Sequence, residues 1–245
     1  MMLSPYWRAA RDPRYSVLFA FPLLVLYEVL AFGLTGSAFA GVRNGADVLL
    51  KTAFVAFGGR HGLAAFTLAL VGVAAALVWR DRRRHPGPLA RRYFGLMLAE
   101  CVAYAAVFGS VVSTLTGLLL APPLAAVQTA GGVTELDFGA QLVVSLGAGI
   151  YEEILFRVLL VSGLVALGTA LKWRRGLAVA FGVVAGALIF SAFHYVGPLG
   201  DRLELSSFTF RAIAGLLLSG LYVARGFGIT AWTHALYDVG LALVT

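Results

Sequence analysis

Charge is scarce in this chain of 245 residues: 13% are Asp, Glu, Lys or Arg, about half the share usual in a soluble domain, against 60% apolar. No soluble core of this size hides so much apolar surface, so lipid must be the solvent for most of the chain. Soluble, disordered and nucleic-acid-binding classes are thereby excluded. The net charge of +7 does not restore a nucleic-acid partner, because the basic residues sit between apolar runs, as membrane topology requires. Cysteine is nearly absent as well. Cys101 stands alone inside an apolar run, so no internal disulfide can form, and it reads as a small hydrophobe. Several catalytic signatures are missing: there is no H-E-x-x-H zinc helix, no G-x-S-x-G nucleophile turn and no G-x-G-D element. Internal repeats and low-complexity tracts are missing too.

What remains is a series of apolar runs. Seven read as crossings, at 15–34, 62–79, 93–120, 140–170, 177–196, 207–223 and 229–245. The fold class expected is therefore all-α, a polytopic bundle of about seven or eight membrane helices in one domain. Residues 1–139 form its N-terminal part and 140–245 its core. The runs 93–120 and 140–170 exceed a bilayer thickness, so each is tilted, broken or protrudes, with Gly147, Gly149, Gly163 and Gly168 as candidate breaks. Ala38-Phe39-Ala40 looks like a signal-peptidase site, but the preceding run of about 20 residues is a full crossing and reads as a retained span. Segment 46–57 is too short to cross and reads as an interfacial or re-entrant helix. That reading also keeps three basic blocks on one side: Arg8, Arg11 and Arg14; Arg80 to Arg92; Lys172, Arg174 and Arg175. Positive-inside then makes that side, with the N-terminus, cytoplasmic, and a bacterial plasma membrane is the expected location. Gly182-x-x-x-Gly186 predicts close helix packing.

Ionisable side chains inside a bilayer are expensive, so they are candidates for function. They gather in the C-terminal half: Tyr151-Glu152-Glu153 with Arg157, Phe190 with His194, and His234 with Asp238. Glu153 and Arg157, at i and i+4, can pair, and a paired carboxylate is a poor base. Glu152 points elsewhere, lacks that partner and is left as the candidate general base. His234 and Asp238 are also at i and i+4, so the aspartate can fix the imidazole tautomer. Singly, these are a helix-locking ion pair, an interfacial histidine and a polar staple. Together, on three nearby spans, they need several independent costly burials. Elsewhere, Glu28 and Glu100 show no obvious partner, Asp47 and Lys51 read as a solvated pair, and His61 and His85 as solvated.

E-E-x-x-x-R, then F-x-x-x-H, then H-x-x-x-N/D, in this order over 140–245, resembles the CPBP family of glutamic intramembrane proteases, which includes CaaX prenyl endopeptidases and Abi-type bacteriocin-processing or immunity proteins. The resemblance implies that Glu152 and His194 activate water. It implies that His234 and Asp238 stabilise the oxyanion, and that Glu153 and Arg157 hold the site. It implies a membrane-bound protein or peptide as substrate and no metal. Position 238 is Asp where the prenyl endopeptidases carry Asn, and an ionised Asp cannot donate to an oxyanion. That departure argues against a strict CaaX substrate. Three readings stay open beside it: a zinc enzyme using the same side chains, a transporter or proton relay, and a catalytically silent immunity or scaffold protein. Straight spans also leave a conflict, since they separate His194 and His234 by roughly 20 Å in depth.

Overall fold

A chain in lipid can satisfy its backbone polar groups only internally, so long apolar runs become helices. The computed structural model describes residues 5–35, 42–120, 137–197 and 200–244, and no strand occurs among them. The Ala38–Ala40 cleavage-like motif and the loop 121–136 lie outside the described residues. In chain order the helices are α1 (Pro5–Ala9), α2 (Pro13–Thr35), α3 (Gly45–Gly58), α4 (Gly62–Arg84) and α5 (Arg91–Leu119). A continuous rod follows: α6 (Phe138–Gly147), a π-helical segment (Ala148–Val161) and α7 (Ser162–Ala170). The last three are α8 (Arg175–Phe193), α9 (Leu205–Arg225) and α10 (Phe227–Ala242).

Among the described residues, six stretches are long and apolar enough to cross a membrane: Pro13–Leu34, Gly45–Arg84, Arg91–Leu119, Phe138–Ala170, Arg175–Phe193 and Leu205–Arg225. The seventh expected crossing forms α10, but with 16 residues it reaches only about 24 Å. Its surroundings are protein rather than lipid. It packs against α2, α5, α6, the π segment and α9, and its face from Gly228 to Ala235 is buried.

Polar contacts gather helix ends. Arg14 Nε lies 3.5 Å from Asp81 Oδ2, and Arg14 Nη1 donates to the His85 carbonyl. The start of α2 and the end of α4 therefore share one end of the bundle, so α3, between them, adds no net crossing. Its 14 residues span only about 21 Å, which agrees with a non-spanning helix. Only glycine closes the turn into α4, because a Cβ on Gly62 would sit 2.4 Å from Val55 Cα. At the same end Arg225 donates to both oxygens of Glu100, at 2.6 and 2.7 Å, and to the Trp7 carbonyl at 2.8 Å.

Glu100 is partnered, by Arg225 and the hydroxyls of Tyr6 and Tyr104. Glu28 is partnered too, by Lys51 at 2.9 Å and the Tyr151 hydroxyl. Asp47 and Lys51 do pair, at 2.7 Å, but they are buried rather than solvated. Arg43 stands at i,i+4 from Asp47, but Tyr27 and Glu28 come from α2, so local spacing could not reveal the enclosure. His61 and His85 are exposed, as expected, and Cys101 is buried, with its thiol directed at the Ile229 carbonyl.

The glycines of the rod do not break it. Gly147 and Gly149 permit close approach: a Cβ on the first would meet Asn44 Cβ at 2.5 Å, and on the second Ala235 Cβ at 2.4 Å. Gly182 and Gly186 play the same part on α8, against Val165 and Val161.

Candidate active site

Glu152, Glu153 and Arg157 all lie on the π segment, whose end shows i→i+5 bonding: the Ser162 N–H donates to the Arg157 carbonyl. Such segments occur often at functional sites, because the extra residue per turn re-aims side chains. Here two adjacent carboxylates are both buried, with different partners. Glu153 and Arg157 are fully enclosed. Arg157 Nη1 stands 3.1 Å from Glu153 Oε1, and its guanidinium lies over the Phe190 ring at 4.5 Å. None of its three nitrogens has a hydrogen-bond partner among the described residues, so the pairing is electrostatic and cation–π in kind.

Glu153 Oε1 also meets His234 Nδ1 at 2.7 Å. A carboxylate can only accept, so the Nδ1–H donates. This contact, and not Asp238, sets the ring's tautomer and orientation. Asp238 Oδ2 lies 3.5 Å from the other ring nitrogen, Nε2, too far for a strong hydrogen bond. The i,i+4 spacing brought His234 and Asp238 to one face as expected, while the stronger partner came from another helix.

Glu152 faces a different group. Its Oε1 accepts from Asn44 Nδ2 at 2.8 Å. His194 caps the end of α8, where its Nδ1–H donates to the Phe190 carbonyl at 2.9 Å. In the neutral ring Nε2 is then left as an acceptor. Phe190 ties the two histidines together: its ring centroid is 4.9 Å from that of His194 and 6.3 Å from that of His234. The depth conflict therefore disappears. Spans do not begin at a common level. The first turn of α10 sits inside the bundle, where the Gly228 N–H bonds Ser16 Oγ at 2.7 Å, and Phe156 of the π segment contacts both Phe190 and Phe193 at the end of α8.

Residues from the π segment, α8 and α10 thus converge, as their clustering in sequence predicted. Asn44 was missed. Its signal was present, since an Asn before an apolar run marks a helix N-cap, and its Oδ1 does accept the Ala46 N–H at 2.9 Å. Nothing in the local sequence reveals that the same amide reaches Glu152, 108 positions away. As for metal ligands, one group of three or more His, Cys, Asp or Glu converges among the described residues. It is Asp12, Asp81 and His85, where α2 begins and α4 ends, and it includes no member of this site.

A bundle of membrane-length helices enclosing carboxylates, histidines and an arginine defines a class, that of polytopic membrane proteins with a polar site sunk among their helices. Residues 135–240 match the family described as type II CAAX prenyl endopeptidase, Rce1-like. No curated protein and no solved structure matches the chain.

Proposed function

We propose that this protein is an intramembrane endopeptidase that hydrolyses a peptide bond of a membrane-associated protein with water activated by Glu152. The observation that carries this reading is the separation of the two adjacent glutamates. Glu153 is committed to Arg157 and His234, whereas Glu152 is held by an uncharged amide. Glu152 accepts a proton as the water oxygen bonds to the scissile carbonyl carbon, and the His194 Nε2 lone pair orients the second water hydrogen. The developing oxyanion is met by His234, which donates once it is protonated on both nitrogens; Glu153 and Asp238 flank the ring and favour that cation. Collapse breaks the C–N bond, and the proton held by Glu152 passes to the leaving amine. No side chain forms a bond to substrate.

Glu153 orients His234 in this scheme, while Asp238 lies beside its Nε2 and does not donate to the oxyanion. A prenylated CaaX-type substrate follows from the family description, while the aspartate at 238 favours a wider set of membrane-associated peptides. The second reading is a zinc enzyme that uses the same side chains. The test compares protein termini in membranes of cells carrying the wild-type chain or Glu152→Gln. Wild-type cells should hold new termini of membrane proteins that the variant cells lack, and identical sets would overturn the proposal.

A further inference from the structure

We propose that Asn44, outside the segment that matches the family, is a positioning residue that fixes the Glu152 carboxylate for proton abstraction; this rests on the base assigned to Glu152 above. Its side chain is 3% exposed and its two ends have different duties. Oδ1 accepts the Ala46 N–H at 2.9 Å and caps α3, so the amide is not free to flip. Nδ2 is thereby aimed outward and donates to Glu152 Oε1 at 2.8 Å. With that oxygen occupied, Oε2 is left to face the water. The rest of the surroundings hold Asn44 still. Asp47, one turn into α3, is bound by Arg43 and Lys51 at 2.7 Å each and by the Tyr27 hydroxyl at 2.7 Å. Lys51 in turn reaches Glu28 on α2 at 2.9 Å. Space for Asn44 exists only because position 147 is glycine, where a Cβ would approach Asn44 Cβ to 2.5 Å. The buried charges of α3, which the water-activation scheme leaves unused, thus act as an anchor for one amide against the base.

The experiment separates capping from positioning. Asp and Ser cap helices about as well as Asn, but neither can donate to Glu152 as the amide does: ionised Asp has no proton, and Ser is too short. Turnover is read in detergent on a quenched-fluorescent peptide spanning a cut site found by the terminus comparison, with Glu152→Gln as control. Asn44→Ser should keep the wild-type melting temperature and KM while kcat falls by about 100-fold, the cost of a misplaced reacting group; Asn44→Asp should fold with a lower melting temperature, because it sets a like charge against Glu152, and lose more turnover. Wild-type kcat in either variant, with loss confined to Asn44→Ala, would reduce Asn44 to a helix cap. Loss of fold in both would assign it to structure and equally overturn the proposal. Failure of this inference is distinct from failure of the base assignment, which falls only if Glu152→Gln remains active.

Discussion

Adjacent residues in one helix normally look in different directions, and here Glu152 and Glu153 owe their different chemistry to that fact. Glu153 answers to a guanidinium and an imidazole. Removing its charge would leave Arg157, fully buried and without a hydrogen bond among the described residues, as an uncompensated ion. Glu153→Gln and Arg157→Ala should therefore each cost about 3–5 kcal/mol and lower the folded yield from detergent. Glu152→Gln strands no such ion, and its amide can still meet Asn44. Its yield, read by size-exclusion chromatography, should match wild type. The opposite pattern, with Glu152→Gln unfolded and Glu153→Gln active, would exchange the two roles. At this scale the sequence was largely legible, because i,i+4 spacing shows which side chains can share a face. It could not show that His234 takes its hydrogen bond from Glu153, since that pairing crosses between helices and depends on their rotation.

Among the elements, the π segment and α10 carry the site, and one glycine sets how near they come. A Cβ on Gly149 would stand 2.4 Å from Ala235 Cβ and 2.7 Å from the Ala231 carbonyl oxygen, beside His234. Gly149→Ala should cost about 1–3 kcal/mol by overpacking and displace His234 enough to reduce turnover. Gly163, on the same rod, has nothing within 4 Å of its Cβ position. Gly163→Ala should leave turnover intact and raise stability by about 0.5–1 kcal/mol through helix propensity. Thermal melting of the two variants checks both signs. Helix positions were readable from apolar runs, and so was the excess length of the rod. Its π geometry was not, because an i→i+5 ladder leaves no compositional mark. Gly147, Gly149 and Gly168 read as candidate breaks for want of the partners that approach them.

The whole molecule poses a question of orientation. Arg14, His85 and Arg225 lie at one end of the bundle, through their contacts with Asp81 and Glu100. Basic residues concentrate at that end, and positive-inside predicts that it is cytoplasmic. In a Cys101→Ser background, an impermeant thiol reagent applied outside cells should label Arg202→Cys and spare Pro88→Cys. Labelling of Pro88→Cys alone would invert the topology. The seventh expected crossing, α10, is short and packed on protein neighbours, so its apolar composition serves those contacts as well as lipid. Composition cannot tell these two solvents apart.

Whether water is activated by a carboxylate or by a metal decides what kind of enzyme this is. Both chemistries need the same side chains, so substitution alone cannot separate them. A zinc enzyme needs its ion to bring the pKa of bound water to about 7, whereas Glu152 needs only a wet pocket and His194. The direct measurement is turnover of the cut-site peptide by purified protein after dialysis against a strong chelator, with elemental analysis of the same sample. Undiminished turnover with no stoichiometric transition metal is the result predicted for a glutamate base; activity lost on chelation and restored by zinc alone would contradict it.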